Sequence, residues 1–368
     1  MRDRIMRTGM LLLAPGPVEM DESICEIGST RKLPYFRGQG FARTVLELTE
    51  DLKYLFQTRS TPLTVTASGT GLMEMAIVNL LNRGDKVVVL NGGTFASRWV
   101  SMCRAFGVEV VDLAVELGRS PDMRKLDDCL AARPKALLVN AHETSTGYLY
   151  DIPAIGRLTD PRGVLLIVDA VSSIGADEFR MDDWHVDCAL VSVQKALALM
   201  PGLGFIAFSE RAKAIIPSVT QPRAYFDALD YLANITRGMT PFTPAMNAIL
   251  QAAARLAEIK KIGIAGYIRR HADLAAAFRE AITSNGYALF PERSSNAMTA
   301  FGLPDGAPMS QVVKYLREEY DWWLAPNPTK REDYLRVSHM GHLTVDLMRV
   351  VAGGIVKAVE HITKGNRQ

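Results

Sequence analysis

No apolar run in this 368-residue chain approaches the ~18 residues that a membrane-spanning helix needs. The early stretch Met10-Leu11-Leu12-Leu13-Ala14 is broken at once by Pro15-Gly16-Pro17. It is too short for the apolar segment of a secretion signal, and no small-residue cleavage site follows it. The expectation is a soluble, cytoplasmic protein. Cysteine is scarce: Cys25, Cys103, Cys129 and Cys188 are the only four, and none forms a C-x-x-C pair. That spacing suits neither a zinc site nor a disulfide framework, which leaves reduced, mostly buried thiols. His339 and His342 are three apart but lack a carboxylate or cysteine cluster, so no metal is expected there. An excess of one charge is also missing. The 42 Lys and Arg nearly balance 40 Asp and Glu, with both signs interspersed and a net charge of +2. This argues against a nucleic-acid partner or a membrane surface. No internal repeat or low-complexity segment is visible.

What is present is a chain 48% apolar and long enough for roughly two domains. From about residue 60 to 210, short apolar runs alternate with longer amphipathic ones. Strands are expected at 64–67, 86–90, 108–113, 136–140, 164–169, 188–193 and 204–208, with helices at 69–81 and 97–106 between them. The strands are apolar without alternation, so both faces should be covered. That is the signature of an α/β fold with a mostly parallel central sheet clad in helices. A long helix is expected over 241–264, entered through Thr243-Pro244. Beyond it lie helices near 267–284 and 310–320, strands near 297–301 and 334–337, and a closing helix over 346–362. The expected organisation is an N-terminal arm (1–17), a large domain (18–265) and a smaller C-terminal α+β domain (266–368).

Ligands in such sheets sit beyond the carboxyl ends of the strands. Three strand ends stand out. Ser68-Gly69-Thr70-Gly71 joins a strand to a helix, and its small residues let N–H groups at a helix start approach a phosphate. The same four residues also make an ordinary tight turn. Asp169 ends an apolar strand, where a carboxylate is costly unless paired. It could hold a protonated ring nitrogen, or simply cap the next helix. Gln194-Lys195 ends another. A desolvated lysine has a depressed pKa and can attack an aldehyde, although a strand-end lysine can also snorkel to water. Taken together, a phosphate cradle, a buried acid and a strand-end amine are what pyridoxal 5'-phosphate requires. The cradle anchors its phosphate, the acid tunes its ring, and the lysine bonds it and moves a proton.

The sequence resembles the class V, fold-type I, pyridoxal-phosphate aminotransferases. Within them it is similar to the branch of alanine–glyoxylate, serine–pyruvate and 2-aminoethylphosphonate–pyruvate aminotransferases. The resemblance runs from Leu12 to Gly341. It is carried above all by 67–74 (ASGTGLME), 142–147 (HETSTG), 168–173 (VDAVSS) and 192–197 (SVQKAL). It implies roles residue by residue. Lys195 matches the lysine that carries the cofactor covalently, and Asp169 the acid at the ring nitrogen. Ser68, Gly69 and Thr70 match the phosphate cradle, with Gln194 beside it. Phe95 falls where an aromatic stacks on the ring, and Ser145 matches a small polar contact to the cofactor. Thr243 matches a phosphate contact from the partner subunit of a homodimer, and Arg336 the arginine that grips the substrate carboxylate. Each has an ordinary counterpart: core packing for Phe95, a turn for Ser145, a helix cap for Thr243, a surface charge for Arg336. One departure is the run Leu199-Met200-Pro201-Gly202, where Met200 replaces one of a proline pair and leaves the turn after Lys195 open.

The implied reaction moves an amino group from a small donor to pyruvate or a similar 2-oxo acid. The basic, aromatic stretch 31–37, with Arg31, Lys32 and Arg37, favours 2-aminoethylphosphonate as donor, since a dianion rewards several cations. Alanine or serine with glyoxylate is the alternative, and a lyase of the same fold a further one. A cysteine desulfurase would need a nucleophilic cysteine late in the chain, and none follows Cys188. A dinucleotide-binding dehydrogenase would need a G-x-G-x-x-G turn, which is missing after the first strand.

Overall fold

A computed structural model describes residues 10–365. Residues 1–9 of the expected arm and 366–368 of the expected C-terminal domain lie outside the described residues. The main sheet has seven strands. In chain order they are β1 (Leu63–Val65), β2 (Lys86–Asn91), β3 (Glu109–Ala114), β4 (Ala136–Asn140), β5 (Leu165–Asp169), β6 (Cys188–Ser192) and β7 (Gly204–Phe208). Their spatial order is β1-β7-β6-β5-β4-β2-β3. β7 is antiparallel to both its neighbours, so β1 points the same way as the remaining, mutually parallel strands. Every residue of β4, β5, β6 and β7 is buried, as apolar runs without alternation require. β3 departs from that expectation. It is the edge strand, and most of its residues remain partly or fully exposed.

The helices are α1 (Glu22–Gly28), α2 (Gln39–Phe56), α3 (Gly69–Leu80), α4 (Thr94–Ala105), α5 (Met123–Ala131), α6 (Ile152–Thr159), α7 (Glu210–Ile215), α8 (Ala228–Ile235), α9 (Met246–Ile262), α10 (Ile264–Thr283), α11 (Met309–Tyr320) and α12 (Val345–Gly365). α3 packs on β6 and β7, and α4 on β2, β3 and β4. α4 begins three residues before the expected 97, at Thr94. α9 begins at Met246 rather than at 241, because Pro241 and Pro244 hold residues 241–245 out of the helix. It also stops short of the expected end: Gly263, at φ +81°, breaks it from α10.

One hydrophobic core surrounds the main sheet. A second gathers Phe278 of α10, Val312 and Leu316 of α11, Trp322 and Ile355, around strands β8 (Met298–Gly302) and β9 (Tyr334–Ser338). Leu13 belongs to this second core, and Leu11–Leu12 pairs in parallel with Trp322–Trp323. Residues 11–13 are therefore tied to the last quarter of the chain, which brings Pro15 and Gly16 over the carboxyl edge of the main sheet. Among the described residues no helix is long and apolar enough to cross a membrane.

Two helical glycines separate packing from propensity. A Cβ on Gly156 of α6 would lie 2.0 Å from the Trp184 carbonyl oxygen, a backbone atom that cannot give way. Gly156→Ala is expected to cost about 1–3 kcal/mol. Gly353 of α12 meets nothing within 4 Å. Gly353→Ala should be neutral or stabilising by up to ~1 kcal/mol. Paired thermal or denaturant melts measure both.

Candidate active site

The strand ends that carry the expected residues all open on the carboxyl edge of the sheet. β1 delivers the Ser68–Gly71 turn, β2 leads to Phe95, β4 to residues 142–145, β5 to Asp169 and β6 to Lys195. Ser68 is the N-cap of α3, and its hydroxyl accepts a hydrogen bond from the Gly71 N–H at 3.3 Å. No acidic residue occupies the first turn of α3, so its positive end stays available to an anion. Close packing enforces the small residues. A Cβ on Gly69 would come to 3.0 Å from Val171, and one on Gly71 to 3.1 Å from Ala67 and Phe226.

Asp169 is buried, and one carboxylate oxygen accepts from the Val171 N–H at 2.9 Å. Burial pushes its carboxyl up to about 6. The Val171 N–H opposes that, Glu143 reinforces it, and Arg98 and Lys195 oppose it. Burial likewise pulls the Lys195 ammonium down to about 8. Asp169 counteracts this, while Arg336 and Arg98 add to it. Lys195 Nζ donates to the Pro15 carbonyl of the arm. Gly16 is at φ +98°, a backbone conformation that favours glycine, and lies against the Lys195 side chain. Gln194 lies beside Lys195 and accepts from the Ser192 hydroxyl at 2.6 Å. The turn that follows is formed by Ala198, at φ +50°, with Met200 exposed.

Arg336, in the middle of β9, is only 4% exposed, which rules out a surface charge. Its guanidinium donates to the Thr144 carbonyl at 2.8 Å and the Pro326 carbonyl at 2.7 Å. Both partners are neutral, and its Nε is buried without a partner. A buried cation held only by carbonyls is a seat for an anion.

The remaining expected residues divide. Phe95 is half-buried at the start of α4. The Ser145 hydroxyl is engaged within the protein: it donates to Glu143 at 2.5 Å and accepts from the Thr94 N–H at 3.1 Å. Thr243 is exposed, in the loop before α9, and takes no part in the hydrogen bonds joining the others. His339 and His342 serve separate partners, Thr299 and Asp21.

Three residues escaped sequence reasoning. Glu143 is fully buried, and its carboxylate accepts from the backbone N–H of Phe95, Ala96 and Ser145, the Ser145 hydroxyl and the Asn140 amide. It anchors the start of α4 and with it Phe95. His142 is buried: its Nδ1–H faces the Ser172 carbonyl at 3.2 Å, its Nε2 lacks a partner, and burial holds it neutral, down to about 3. Arg98 donates to the Thr70 hydroxyl at 2.7 Å. The first two lie in the quoted 142–147 stretch, which marked the place but not the contacts. Arg98, one helical turn after Phe95, carried no signal of its own.

These residues fit pyridoxal phosphate. The α3 start offers an uncompensated positive end with space only for small side chains, Asp169 offers an ionisable buried acid, and Lys195 offers an amine poised to lose its proton. The comparisons agree. Residues 30–321 match the family described as aminotransferase class-V. The soluble hydrogenase small subunit of a Synechococcus strain is 33% identical, over 92% of this chain and 89% of that one. A serine–glyoxylate aminotransferase of Methylorubrum extorquens is 31% identical, over 96% and 92%. The solved structure of a subgroup IV aspartate aminotransferase from Thermus thermophilus is 29% identical, with a TM-score of 0.88 over 96% of this chain and 99% of that one. The chain belongs to the class-V aminotransferases, with the fold-type I architecture and the pyridoxal-phosphate dependence of that family.

Proposed function

We propose that this aminotransferase moves the amino group of a small amino acid to glyoxylate. The observation that carries the reading is Arg336, a buried guanidinium held by two carbonyls, without a salt bridge among the described residues, and close enough to Lys195 for its charge to bear on that amine. Amino and oxo acids share one carboxylate, so one such seat serves both halves of the reaction. The serine–glyoxylate relative supports glyoxylate as acceptor. For 2-aminoethylphosphonate, the donor favoured by the basic 31–37 stretch, support is thinner. Arg31, Lys32 and Arg37 are exposed, and Arg37 lies over the Phe36 ring at 4.9 Å.

Pyridoxal phosphate, when bound, supplies an electron sink for the carbon that bears the amino group. The N–H groups at Ser68, Gly69 and Thr70 would hold its phosphate, with Gln194 beside them. Asp169 would keep a proton on the ring nitrogen, Phe95 would cover the ring, and Ser145 would line the site through its fixed backbone. Lys195 would bond the cofactor and then, freed, carry the α-proton on Nζ. Its lowered pKa favours the neutral amine that both tasks need. Arg336 would orient the carboxylate. Thr243, exposed in the loop whose Ala245 N–H bonds the Thr66 hydroxyl just past β1, would reach the phosphate of a partner subunit in a homodimer.

Lys195→Ala should lower transamination by more than about a thousandfold; a parental rate in a coupled assay would overturn the reading. Arg336→Lys should raise KM for carboxylate substrates by about tenfold or more, because an ammonium cannot reproduce a bidentate fork. Because neutral Lys195 is the reactive form, the rate at which apoprotein captures the cofactor should climb through pH 8 and level off above it, followed by the yellow absorbance. A donor screen decides the substrates. Serine, alanine or aspartate with glyoxylate should outpace 2-aminoethylphosphonate with pyruvate. The reverse order, sensitive to Arg31→Ala and Arg37→Ala, would replace this donor assignment. Ammonia release without consumption of an oxo acid would make the protein a lyase.

A further inference from the structure

We propose that Arg98 is a positioning residue of the cofactor pocket, bracing Thr70 of the phosphate cradle and supplying a positive charge beside Asp169. The inference rests on the pocket assigned above.

Arg98 lies one turn after Phe95 on α4, so both side chains share a face. Its guanidinium carbon sits 5.2 Å from the centre of the Phe95 ring. The same guanidinium donates to the Thr70 hydroxyl at 2.7 Å, across 28 residues of sequence. It is half-buried, and among the described residues it forms no salt bridge. Such a cation, held by a neutral hydroxyl over an aromatic face, keeps its charge available to the pocket.

Its placement is fixed from beneath. Glu143 accepts from the N–H groups of Phe95 and Ala96 and so locks the first turn of α4. Gly93 admits this approach: a Cβ there would lie 2.3 Å from the Ser145 hydroxyl and 2.7 Å from Glu143. One buried acid thus sets the helix start that presents both Phe95 and Arg98.

The charges that bear on Asp169 are two cations, Arg98 and Lys195, and one anion, Glu143, besides the Val171 N–H. Lys195 is an unreliable counter-charge, since it must be neutral to react and its ammonium titrates near 8. Arg98 is the other cation that opposes the upward push of burial on the Asp169 carboxyl, and so helps Asp169 hold its charge as the pH falls toward about 6.

Arg98→Gln and Arg98→Lys test this through cofactor affinity, measured on apoprotein by tryptophan fluorescence from pH 5.5 to 8.5. Arg98→Gln is expected to weaken pyridoxal phosphate binding by about tenfold or more at pH 7.5. The pH at which affinity falls away on acidification should rise by about half a unit or more, because Asp169 then takes up its proton earlier. Arg98→Lys keeps the charge and should weaken binding while leaving that midpoint in place. A parental midpoint in Arg98→Gln, or an equal shift in Arg98→Lys, overturns the inference. If Arg98→Gln lacks a cooperative thermal transition, the Arg98→Lys midpoint decides alone. Failure of the parent protein to bind the cofactor would instead sink the pocket assignment.

Discussion

An ammonium, a carboxylate and a guanidinium cannot be taken out of water one at a time. The architecture around Lys195, Asp169 and Arg336 follows from that constraint. Lys195 and Asp169 are buried at the carboxyl edge of a sheet whose central strands are apolar on both faces, and Arg336 is buried on β9. Asp169 and Lys195 each favour the charged form of the other, whereas Arg336 disfavours the ammonium of Lys195. The balance is deliberately incomplete. Asp169 is pushed toward its protonated form, Lys195 toward its neutral form, and Arg336 forms no salt bridge among the described residues, with Glu143 the anion that bears on it.

The sheet topology turns that chemistry into a place. Because β7 reverses direction between β1 and β6, the ends of β1, β5 and β6 all face one way. The strand-end turn at Ser68–Gly71, the acid and the amine then meet although roughly 100 and 125 residues separate the first from the other two. The second core closes the site from the other side. β9 carries Arg336, and pairing of Leu11–Leu12 with Trp322–Trp323 draws the arm across Lys195.

Much of this was legible in the chain. The strands at 136–140 and 204–208 were readable to the residue, because an apolar run bounded by polar ends has only one way to be buried. Lys195 and Asp169 were legible because a charged residue directly after such a run must sit at a strand end. Element ends next to proline or glycine were less so: α9 starts five residues late, since the prolines before it decide its first turn. Edge strand β3 looked like its neighbours in sequence, and only its place in the sheet exposed it.

By itself, the sequence determined which residues end the buried strands, because covalent order and apolar periodicity are local properties. Tertiary structure alone decided what those residues touch. Nothing local indicates that Glu143 collects five donors around the start of α4, that Ser145 turns its hydroxyl inward, that Arg98 crosses to Thr70, or that Pro15 lies over Lys195. These contacts join segments up to 180 residues apart. The strength of a buried charge is set by whatever surrounds it in space, not by what precedes it in the chain.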